Sequence, residues 1–153
     1  MAFLIAIVLT VLGGGGDRAA PHLPSACAGH AHGSSFTASN GADGCRFRAD
    51  GTSVIVMLDS APQAYTRMER EQVEFWQNVE WSHKAARAAP RPVGHLGLGG
   101  YWFPLQSRLL TTDGVRLITI KVRSASLGPS ERKAEAIRLA QIYLGPLQKP
   151  AGY

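Results

Sequence analysis

The sequence predicts an α+β domain, an antiparallel sheet of about five strands with two helices packed on one face, in the order β-β-α-β-β-β-α. Three observations predict it. Two Asp-Gly dipeptides, Asp50-Gly51 and Asp113-Gly114, each stand between runs rich in β-branched residues, the pattern of antiparallel hairpins. Two stretches carry apolar residues at helical spacing, one ahead of Pro90 and one ahead of Gly145-Pro146. Residues 13–44 hold mostly Gly, Ala, Ser, Pro and His, so regular structure is expected only from Cys45 onward.

Taken in order, residues 45–49 and 52–59 flank Asp50-Gly51, two positions that tolerate the positive φ of a two-residue turn. In the second run Val54, Val56 and Leu58 share one face and Ile55 and Met57 the other, so both faces are apolar and the strand reads as central. Ser60 is placed to cap a helix, and Pro62 suits its first turn, where a missing N–H costs nothing. Tyr65, Met68, Gln72, Phe75, Trp76 and Val79 form the inner stripe of that helix, with Glu69, Arg70, Glu71 and Glu74 mainly on the wet side. The helix is expected to end within residues 81–86, before Pro90 and Pro92.

Four glycines then fall between Gly94 and Gly100, and Tyr101, Trp102 and Phe103 follow in a short strand. A second hairpin joins residues 107–112 to 115–123 through Asp113-Gly114. Its second arm turns Ile118, Ile120 and Val122 inward and Thr119, Lys121 and Arg123 outward. Gly128-Pro129-Ser130 opens a last helix over 131–144, with Ala136, Ile137, Ala140, Tyr143 and Leu144 inside, and Gly145-Pro146 stops it.

The chain has 153 residues, room for one domain and a leader. Residues 2–12 are uncharged and apolar, and four glycines follow. Eleven such residues fall short of the roughly 20 a spanning helix needs and match the apolar region of an export signal. No lysine or arginine precedes them, so an uncleaved N-terminal anchor fits as well as a cleaved peptide. The expected organisation is a signal or anchor in 1–20, a flexible linker in 21–44, the domain in 45–147 and a tail in 148–153. The expected location is the cell envelope or outside the cell.

Charge is divided along the chain. Residues 1–80 carry five basic and eight acidic side chains, while residues 81–153 carry eleven and three, within a total of +5. The basic C-terminal half suits anionic lipid or a cell-wall polymer as partner. Arg108, Arg116, Lys121 and Arg123 also leave a nucleic-acid reading open, which export and the lack of an RNA-binding aromatic motif disfavour.

Cys27 and Cys45 are the chain's two cysteines, and outside the cytoplasm a disulfide between them is the first expectation. The string Cys27-Ala28-Gly29-His30-Ala31-His32, with Cys45, also offers two thiolates and two imidazoles for a zinc site, though its spacing matches no finger pattern. No metal or cofactor is expected. Gly97-Leu98-Gly99-Gly100 fails the dinucleotide fingerprint, because Trp102 stands where its third glycine belongs. His83 and His95 are isolated, Glu71 and Glu74 read as a solvated pair, and no serine sits in a hydrolase elbow. Tyr101, Trp102 and Phe103 are the candidate ligand contacts, with Arg108 beside them. A strand points Trp102 to one face and the other two rings to the opposite one, so either helices cover both faces or a ring meets a ligand.

The apolar leader, the loose linker, Cys45-Arg46-Phe47, the valine-rich strand, the segment from Val93 to Trp102, the Asp-Gly hairpin and the alanine-rich closing helix together resemble small exported proteins and lipoproteins of actinobacteria. The chain departs from the lipoprotein pattern at Cys27, which Pro24-Ser25-Ala26 precede without a lipobox, and it lacks a third cysteine downstream. The resemblance implies an accessory or binding role in the envelope and carries over no active-site residues. The expected function is therefore an exported, membrane-tethered, non-enzymatic domain that binds an envelope ligand or protein. Two other classes stay open: a small secreted hydrolase pairing His83 or His95 with a carboxylate, and a cytosolic module for anions or nucleic acid.

Overall fold

The computed structural model describes residues 25–28, 33–60, 63–78 and 87–144. The expected signal or anchor in 1–20, Ser60–Pro62 as the helix opening, His83 and the C-terminal stop at Gly145-Pro146 fall wholly or partly outside these residues. The elements are β1 (Ser34–Thr37), β2 (Asp43–Ala49), β3 (Thr52–Ser60), α1 (Ala64–Asn78), β4 (Arg91–Pro92), β5 (Gly100–Phe103), β6 (Arg108–Thr112), β7 (Arg116–Ser124) and α2 (Pro129–Tyr143). The strands form one antiparallel sheet in the order β1-β2-β3-β7-β6-β5-β4. An α+β domain with two helices is what the sequence led us to expect, and the sheet gains two edge strands over the five anticipated.

Both extra strands are short and polar, which is why periodicity did not show them. β1 lies inside the stretch read as linker, where it pairs Ser35 with Cys45 and Phe36 with Gly44. β4 contains Pro92, which suits an edge because proline has no N–H to offer a further neighbour. Within the stretch read as linker Ala26 is fully buried, and Cys27 forms with Cys45 the disulfide expected from the sequence.

At the centre, β3 pairs with β7 over nine residues, from Thr52↔Ser124 to Ser60↔Arg116. Alternation sends Val54, Val56, Leu58, Ile118, Ile120 and Val122 to one face, where Ala136, Leu139, Ala140 and Tyr143 of α2 close the main core. On the opposite face α1 covers β5, β6 and β7, burying Ala64 and Met68 against Phe103, Leu110 and Leu117. The helices thus pack on opposite faces rather than on one. The reason lies in β5 and β6, whose neighbouring residues Trp102/Phe103 and Leu109/Leu110 are all large, apolar and buried, so each face needs a lid.

Most of the expected α1 stripe faces inward, with Met68 buried and Gln72, Phe75 and Trp76 half-buried, but its edges differ. Tyr65 is exposed, while Glu69 and Glu71 turn inward to meet Tyr101 and Arg108. The two Asp-Gly hairpins also differ. Asp50 and Gly51 both have positive φ, 49° and 74°, as a two-residue turn requires. At the second, Thr112 pairs with Leu117, so four residues form the loop. The Asp113 carboxylate accepts the N–H groups of Val115 and Arg116 and binds the Arg116 guanidinium, which holds the longer loop. In α2 the Glu131 carboxylate reaches back to the Gly128 N–H at 2.6 Å, satisfying a donor the helix start would leave bare.

Candidate functional site

The face that carries α1 is only half covered by the described elements. Beyond β7, on β3, β2 and β1, Ile55 and Met57 are half-buried and Arg46 and Arg48 are exposed. Register decides what lies there. Arg46 stands opposite Ile55, Ile55 opposite Lys121, and Lys121 opposite Arg108, so one row across four strands holds three cations. The adjacent row holds Arg48, Ser53 and Arg123. Side-chain period two puts both rows on the same face.

This arrangement costs stability, since like charges directly opposite across a ladder repel. Arg108 is relieved by Glu71, whose Oε2 lies 2.9 Å from its guanidinium, and by the Phe103 ring 4.5 Å beneath it. Its Nε is buried without a hydrogen bond among the described residues. Arg46 sits over the Phe36 ring at 5.8 Å. Lys121 has no such relief among the described residues: burial, then Arg123 and Arg108, hold its ammonium below the ordinary lysine range. Among the described residues, Arg48, Lys121 and Arg123 have no carboxylate within 4.0 Å.

Two shallow depressions border the cationic rows. One lies between α1 and the β5–β6 turn, lined by Arg67, Arg70, Glu71, Glu74, Phe75, Gln106 and Arg108. The other lies at the β2–β3 turn, lined by Arg48, residues 49–53 and Arg123. Both are open to solvent, and most of the residues that line them are charged or polar.

The residues singled out from sequence separate in space. Trp102 is buried in the core beneath α2, and Phe103 beneath α1, so these rings find cover within the domain. Tyr101 is half-buried and donates its hydroxyl to Glu69 at 3.1 Å. Burial, that hydrogen bond and the negative charges of Glu69 and Tyr65 raise its pKa. Arg108 alone of the four borders the open face. Arg116, grouped by sequence with the other cations, is buried, donating to the Tyr143 carbonyl at 2.7 Å and pairing with Asp113 at 2.9 Å. Burial pushes the Asp113 carboxyl up. The N–H groups of Arg116 and Val115 and the Arg116 guanidinium more than reverse this, leaving it below the usual carboxylate range. Arg46 and Arg48 were not among the candidates. Their alternation on β2 is visible in sequence, but their meeting with Lys121 and Arg123 depends on a pairing between distant strands.

His95 is exposed in the loop after β4 and makes no hydrogen bond or ion pair among the described residues. No group of three or more His, Cys, Asp or Glu is placed to hold a metal ion among the described residues. No helix among them is long and apolar enough to cross a membrane. No family model, curated protein or solved structure matches the chain.

Proposed function

We propose that the protein is an exported, membrane-tethered domain that binds an anionic polymer of the cell envelope, such as a polyol phosphate, across its half-open sheet face. The observation that carries this reading is Lys121 held between Arg108 and Arg123 on a face that the described elements leave half covered, at a cost to stability that a bound polyanion would offset. The apolar leader supports export, and the Cys27–Cys45 disulfide is compatible with an oxidising compartment. Repeating phosphates suit two parallel rows of cations better than one compact anion does, because successive charges meet successive side chains.

The test is titration of the full chain with poly(glycerol phosphate) at rising salt. Binding is expected to weaken steeply with salt, and Lys121→Gln/Arg123→Gln to lower affinity roughly tenfold, ~1.4 kcal/mol. Undiminished binding by that double variant removes the sheet face from the reading. Fractionation of the native host checks the compartment separately.

A further inference from the structure

The opposite end of the sheet from the cationic rows has a different chemistry. Register places the start of β2, the end of β3, the start of β5, the end of β6 and the start of β7 together at this end. Three large apolar side chains are exposed there: Tyr65 at 48%, Leu98 at 53% and Val115 at 63%. They lie near one another: Leu98 approaches Gly114, the residue before Val115, and Tyr65 approaches Gly99, the residue after Leu98. Exposed apolar residues scattered singly are ordinary, whereas a cluster marks a contact surface.

Near this cluster Asp113 pairs with Arg116 and Asp59 with Arg67, while Asp43 accepts the Ala26 N–H and Glu69 the Tyr101 hydroxyl, so each of these carboxylates keeps a polar partner as the end nears a low-dielectric phase. The chain also reaches the domain here: Ala26 donates its N–H to Asp43 at the start of β2, and its carbonyl accepts the Tyr143 hydroxyl at the end of α2. Twelve residues separate the apolar run 2–12 from Ser25. They span at most about 40 Å, which keeps this end within reach of any surface the run enters.

We infer that this end docks on the lipid surface, with Tyr65, Leu98 and Val115 set into the headgroup–acyl boundary. The inference rests on the tethered reading above. Tyrosine suits that boundary, with an apolar ring and a polar hydroxyl. Three side chains alone bind weakly, but a tether raises their effective concentration at the membrane. Docked this way, the cationic rows stand away from the lipid: Arg123 lies eight residues along β7 from Val115, roughly 26 Å at strand rise.

The experiment reconstitutes the full chain with neutral phosphatidylcholine vesicles carrying a headgroup-proximal spin-label quencher. An environment-sensitive fluorophore is placed through Val115→Cys or, as control, through Leu105→Cys, an even more exposed apolar position in the β5–β6 turn at the far end. Vesicle-bound protein is expected to show at least twofold quenching at position 115 and none at 105, unchanged when phosphatidylglycerol is added. Bound protein quenched equally at both positions, or at neither, overturns the docking while the tether stands. Protein left in the supernatant overturns tether and docking together, and leaves polymer binding to its own titration.

Discussion

Tyr143 shows how one residue can hold separated parts of the chain. Its ring is buried in the main core, its hydroxyl donates to the Ala26 carbonyl at 2.8 Å, and its own carbonyl accepts from Arg116. Burial first, and the nearby Asp43 carboxylate second, push its pKa up to about 12 from 10.0. A folded-state value above the unfolded one means stabilisation that is fully present below pH 10.0 and lost as the pH rises towards about 12. Wild-type protein is therefore expected to unfold progressively across that window, followed by far-ultraviolet circular dichroism. Tyr143→Phe should flatten the alkaline limb. At neutral pH it should cost about 1 kcal/mol, the net worth of one hydrogen bond, measured by urea denaturation.

At the scale of elements, the loop before β5 depends on Gly97. Its φ is +56°, and a Cβ there would stand 2.3 Å from the Thr112 carbonyl oxygen, a backbone atom that cannot yield without moving β6. Gly41 has a similar φ, +82°, but open space around it. Gly97→Ala is expected to cost roughly 3 kcal/mol and Gly41→Ala about 1 kcal/mol in chemical denaturation, the difference isolating the steric clash from backbone strain. The glycine run is thus explained by close approach to β6, where the Thr111 hydroxyl also donates to the Gly99 carbonyl at 2.8 Å. Glycine density made a tight loop legible in the sequence, but not the strand it would meet. The hairpins teach the same lesson. Asp50-Gly51 was legible because the turn is local. The same dipeptide at Asp113-Gly114 opened into a longer loop because Asp113 serves Arg116, whose guanidinium also donates to Tyr143, 27 residues away. Strand alternation likewise showed Lys121 and Arg123 outward-facing. The registers that bring them level with Arg46 and Arg48 are tertiary facts that a single segment does not contain.

For the whole molecule, Tyr65, Leu98 and Val115 are exposed near one end of the sheet, while cations without a carboxylate partner among the described residues lie towards the other. Folding alone does not favour that division, since Lys121 opposite Arg108 raises the energy of the native sheet. Residues kept for stability should lose stability when replaced, and residues kept for a ligand should gain it. Lys121→Gln is accordingly expected to raise native stability by about 0.5 kcal/mol at low salt, because it removes like-charge repulsion on a partly covered strand. Screening identifies the cause. Near 1 M salt, where the Debye length is about 3 Å, the advantage of the variant should vanish, and the wild type alone should gain stability with salt. Thermal unfolding of both proteins across a salt series reads this directly. If Lys121→Gln is instead less stable at every salt concentration, the aliphatic stem of Lys121 is serving as cover for the sheet, and its charge is incidental. A stabilised variant that has also lost polymer affinity would place the native cation among the groups that trade folding energy for binding.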